Sequence, residues 1–100
     1  MNTIHFISLF ETTLYLTLYI QNQIQEAQNC IQDCQEAEEL EEEVKHANDS
    51  IEHAASTLVD FIDTLRVLPE DLQHPYKTHR EESAASIKEL RAELESIEST

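Results

Sequence analysis

Glycine is absent from these 100 residues, tryptophan is absent too, and the only prolines are Pro69 and Pro75. Turns that demand positive φ therefore have no default residue. Hairpin-rich sheets, which draw on Asn-Gly and Asp-Gly turns, are disfavoured. Glycine loops that cradle phosphate are missing as well. Basic residues are scarce: none precedes Lys45, although Glu11, Glu26, Asp33, Glu36, Glu38, Glu39, Glu41, Glu42 and Glu43 do. Phosphate neutralisation needs clustered Lys and Arg, so direct binding of nucleic acid or anionic membrane is not expected.

Long apolar runs are missing too. Ile4 to Ile20 is the most apolar stretch, but it falls short of the roughly 20 residues of a spanning helix and contains His5 and Glu11. It has neither the basic leader nor the small-residue cleavage site of a signal peptide, and it reads as a core helix. The two cysteines, Cys30 and Cys34, stand four apart. On a helix they share a face but do not reach disulfide geometry, and no further pair of ligands completes a metal corner. They read as small apolar core residues in a reducing compartment, the cytoplasm of a bacterial or viral host cell.

Present instead are 40% hydrophobic residues and a formal charge of −15. The apolar content suffices for a core. Ile7, Phe10, Leu14, Thr17, Gln21, Ile24, Ala27, Ile31 and Cys34 follow spacings of three and four, and Phe6, Leu9, Leu16, Leu18 and Ile20 widen the expected buried face. The phase then slips between Cys34 and Ala37, and Leu40, Val44, Ala47, Ile51, Ala54, Leu58, Phe61, Leu65 and Leu68 continue in a second register. Asp49 with Glu52 fits a capping box, yet the heptad phase runs straight across it from Ala47 to Ile51. A continuous helix and a bend or turn at residues 48–50 both stay open, the turn favoured because an unbroken helix over 3–68 would be about 100 Å long. Pro69 and Pro75 mark a linker. Thr78 with Glu81 forms a second capping box, and Ser83, Ile87, Leu90, Leu94 and Ile97 make a narrow seam with an Arg91–Glu95 pair beside it.

The expected architecture is one all-α domain, residues 1–100: helices over about 3–47, 50–68 and 79–98, a linker over 69–78, and an antiparallel three- or four-helix bundle. The seams require a partner helix, in the same chain or in a second copy. A homodimer is expected through Leu40, Val44, Ile51, Leu58, Phe61, Leu65, Ile87, Leu90 and Leu94.

Two stretches invite metal chemistry. Glu42, Glu43, His46, Asp49 and His53 recur at helical spacing, and Glu43 with His46 has the ExxH form. Around them the text NDSIEHAASTL, residues 48–58, is similar to the metal helix of encapsulated ferritins, with Ser50 where that family has a glutamate. Glu39 with Glu42 and Asp60 with Asp63 give two acidic pairs. They resemble the magnesium-holding helices of MazG-type nucleotide pyrophosphohydrolases, which would imply a site between two facing helices. No nucleophile motif stands in the chain. No catalytic residue, cofactor or metal ligand is assigned.

The leading expectation is a non-enzymatic acidic binding protein. It would inhibit or sequester a basic, nucleic-acid-handling protein through Glu36, Glu38, Glu39, Glu41, Glu42, Glu43, Asp49 and Glu52, because carboxylates spaced along a helix imitate a phosphate row. In composition the chain is similar to DNA mimics, anti-defence proteins of the anti-CRISPR kind, immunity proteins, antitoxins and secretion chaperones. The alternative is a structural or chaperone coiled-coil subunit that binds a partner helix. A metal-dependent helical enzyme stands third.

Overall fold

The computed structural model describes residues 3–36 and 38–99, with side-chain surroundings from Glu11 onward. Among these residues the chain is all-α and has no strand. Helix α1 spans Thr3–Glu36 and α2 spans Leu40–Arg66. A short α3, Glu70–Gln73, and a 3-10 turn, His74–Tyr76, lead into α4, Lys77–Glu98.

The break between α1 and α2 falls inside the acidic run, where the heptad phase slips. Glu39 leaves helical geometry, with φ −107° and ψ 80°. The physical reason is charge. A helix C-terminus repels carboxylates and a helix N-terminus attracts them. A run of glutamates therefore favours starting the second helix here, though not ending the first: Glu41, Glu42 and Glu43 occupy the first turn of α2. Glycine is not needed, and no described residue has positive φ.

The turn expected at residues 48–50 does not exist. α2 runs through Asn48, Asp49 and Ser50 without interruption. Ala47 and Ile51 are both fully covered on the inner face, and a turn between them would break that seam, while Asn48 and Asp49 simply point to solvent. The expected linker is itself largely helical. Gln73 Nε2 donates to the Leu68 carbonyl at 2.7 Å, tying the connection to the end of α2. The Thr78–Glu81 box is not formed either: α4 already starts at Lys77, with no side-chain cap.

Two clusters hold the helices together. In the first, Ala27, Ile31 and Cys34 of α1 meet Ala47, Ile51 and Ala54 of α2 and Ile87, Leu90 and Leu94 of α4. In the second, Ile20 meets Phe61, Leu65, Leu68 and Tyr76. Cys30 Sγ lies 3.5 Å from Ser50 Oγ, whereas Ile20 clusters with Phe61, so early residues of α1 meet late residues of α2. Phe61 has no exposed surface. It receives Tyr76 edge-on at 6.1 Å and His79 edge-on at 5.7 Å.

Burial corrects two expectations. Ile51, Phe61, Leu65, Ile87, Leu90 and Leu94 are buried by the chain's own helices, and Val44 and Leu58 pack partly against them. These residues form an internal core, not an oligomer seam, because the three long helices supply one another's partners. Leu40 is 40% exposed and belongs to neither cluster. The register of α1 is displaced in its first half, while Ala27, Ile31 and Cys34 are buried as expected. Thr13, Ile20, Ala27 and Cys34, seven apart, are buried, while Leu14 and Gln21 are exposed. Leu18 is 62% exposed as well, so the N-terminal half of α1 is not the all-round core helix its apolarity suggested. Phe6, Ile7, Leu9 and Phe10 lie outside the described side chains.

Candidate functional site

The α1–α2 corner gathers the acidic run on the surface. Glu36, Glu38, Glu39, Glu41 and Glu42 are exposed and Glu43 is half-buried. Among the described residues none of these six carboxylates takes part in an ion pair or a side-chain hydrogen bond; the ion pairs there are Asp63–Arg66 and Glu52–Arg91. Asp33 and Glu36 lie in the last turn of α1, which has no basic residue. That position costs stability, since like charge meets the carbonyl end of the helix. The glutamates on α2 have a structural explanation at its N-terminus; these two have none.

The negative field reaches inward. Burial pushes the Cys34 thiol above its ordinary pKa, and Glu43, Cys30 and Asp33 add to the rise. Carboxylates from α2 and from α1 thus act on one buried sulfur. Leu40 sits among the acids, lining an open concavity with Glu39, Glu41, Glu42 and Lys45.

The other expected contact residues are arranged differently. Asp49 is exposed on the outer face of α2. Glu52 Oε1 accepts a hydrogen bond from Arg91 Nη2 at 3.0 Å, so Arg91 bridges α4 to α2 and the expected Arg91–Glu95 pair is not formed. Glu95 and Glu98 line a hollow of about 200 Å³ with Asn48, Glu52, Arg91 and Leu94. This extends the acidic zone onto α4. Sequence reasoning missed these two glutamates because nothing local says which end of the chain α4 will lie against; the shared apolar seam of Ile87, Leu90 and Leu94 was the available signal.

Metal chemistry finds no such gathering. Among the described residues no three of His, Cys, Asp and Glu converge on one point. Glu42 and the Asp60–Asp63 pair lie on the same helix, with Glu39 at its N-cap. At about 1.5 Å per residue the two acidic pairs are roughly 30 Å apart, so they cannot face each other as the pyrophosphohydrolase likeness required. Asp63 is engaged with Arg66 at 3.3 Å. Ser50, at the ferritin-like position, contacts Cys30 instead.

Away from the corner, His74, Lys77 and Arg80 line a hollow of about 200 Å³ beside Leu65, Glu70 and Gln73. No described helix is long and apolar enough to cross a membrane. No family model matches the chain, and neither the curated proteins nor the solved structures contain a match to it.

Proposed function

We propose that the chain is a non-enzymatic binding protein whose acidic corner occupies a basic surface on a partner protein, of the kind that handles nucleic acid, and so inhibits or sequesters it. The fold read with it is a three-helix bundle of antiparallel neighbours. The observation that carries the proposal is the placement of Asp33 and Glu36 in the last turn of α1, beside a further run of unpaired glutamates. Folding alone would favour bases there. Carboxylates on two helix ends and on α4 make a many-sided negative surface, and Leu40 at 40% exposure supplies an apolar anchor within it. Charge complementarity of this kind speeds encounter and makes association salt-sensitive.

Capture at low salt tests the proposal. The wild-type chain should retain a basic partner at about 50 mM salt and release it by about 500 mM, since the Debye length shrinks several-fold over that interval. A Glu36→Lys, Glu39→Lys, Glu42→Lys variant should fail to retain it at any salt. A complex indifferent both to salt and to the triple reversal would overturn the reading.

A further inference from the structure

Fourteen consecutive residues, Thr12 to Gln25, carry no charge in a chain whose net charge is −15. They lie on α1, and four of them form an exposed apolar stripe: Leu14 at 44%, Tyr15 at 65%, Leu18 at 62% and Tyr19 at 44% exposure. Tyr15 and Tyr19 stack with ring centroids 6.0 Å apart and planes 11° from parallel, so part of the stripe is already ordered. With about 100° of rotation per residue, the four side chains lie on the face opposite the buried Thr13 and Ile20. The bundle has no further helix to cover them.

We infer that this stripe binds a second copy of the chain, as an isologous dimer with the two α1 helices antiparallel. Charge decides the occupant. Two copies repel wherever their acidic surfaces approach, and the stripe is the long uncharged part of α1. A two-fold axis between Tyr15 and Leu18 sets Leu14 of one protomer against Tyr19 of its partner, and Tyr15 against Leu18. The bounding Glu11 then faces Asn22, not another carboxylate. The same symmetry sends the two acidic corners to opposite ends, each about 30 Å from the axis at 1.5 Å per residue, several Debye lengths apart at 0.1 M salt. A membrane surface fits poorly, because interfacial helices favour Lys and Arg and none precedes Lys45. The four side chains offer on the order of 400 Å² per protomer, the scale of the largest patch on a typical monomer. A pair therefore buries about 800 Å², which places the dimer in the weak, concentration-dependent class.

Sedimentation equilibrium of the full chain from about 5 to 500 µM, at about 50 and 500 mM salt, tests this. The dimer should appear with rising concentration, and its Kd should fall as salt rises, because screening removes repulsion between like-charged copies. This is the opposite salt dependence to that of the acidic corner, so the two readings fail separately. Leu18→Glu should raise the Kd at least about tenfold while helicity and Tm stay as in the wild type, the site being exposed; the milder Leu18→Gln should fall between. A chain that stays monomeric at 500 µM and high salt overturns the inference. So does a dimer untouched by either variant, or a stripe that becomes protected only with lipid vesicles or a foreign helix.

Discussion

At the residue scale, Phe61 is the largest fully buried side chain among the described residues. It lies between Tyr76 and His79 with no exposed surface. Phe61→Ala should cost about 3–5 kcal/mol in urea unfolding, the usual loss for a buried aromatic that leaves a cavity. Gln23 is the converse case. It is 8% exposed, and its Oε1 finds no hydrogen-bond partner among the described residues. Gln23→Met keeps the shape, removes the stranded acceptor, and should raise stability by about 1 kcal/mol. The buried Cys34, with its raised pKa, should alkylate far more slowly than the half-buried Cys30, as followed by mass spectrometry in native buffer. The sequence exposed some of this. The apolar periodicity of α2 led directly to Ala47, Ile51, Ala54, Phe61 and Leu65. In the first half of α1 it misled by one position, because Leu14 to Ile20 is apolar or nearly so at every residue, and such a run fits several registers equally well; Ala27, Ile31 and Cys34 further along were read correctly. Only the unbroken sevenfold spacing of Thr13, Ile20, Ala27 and Cys34 distinguishes the true face, and a threonine at its head disguises it.

At the element scale, the instructive feature is where the chain bends. The slip in phase past Cys34 lies at the corner, yet the expected first helix ran through it to about residue 47; it ends instead at Glu36, and the glutamates that follow favour a new helix start at Leu40. The competing signal, Asp49 with Glu52, imitated a helix start inside a helix. Local capping patterns carry about 1 kcal/mol, whereas Ala47 and Ile51 together anchor α2 to both neighbours, so packing overrode the cap. Asn48→Pro separates the alternatives: within a continuous α2 it should cost about 3 kcal/mol or more and lower helicity by circular dichroism, whereas a turn would tolerate it. Glu36→Lys acts on the same corner in the other direction. By removing a misplaced charge from the end of α1 it should stabilise the fold by about 0.3–1 kcal/mol, seen as a Tm a few degrees higher, while weakening retention of a basic partner. A substitution that improves folding and harms binding is what a functional surface charge predicts.

At the scale of the whole molecule, a rod of 57 × 18 × 14 Å carries its densest acidity at one end. Self-repulsion of this kind opposes the compact state, so the Tm should rise between about 20 and 500 mM sodium chloride. The seam within that rod mixes sizes. Ala27, Ala47, Ala54 and Cys34 share the cluster nearer the acidic corner with Ile31, Ile51, Ile87, Leu90 and Leu94, and Phe61, Leu65, Leu68 and Tyr76 fill the far end. At about 1.5 Å per residue, Phe61 stands more than about 25 Å along α2 from the glutamates at its start. Sites so far apart without a shared partner respond independently, so the effects of Phe61→Ala and Glu36→Lys on stability should simply add. The rod thus keeps its folding anchor and its charged end out of each other's reach.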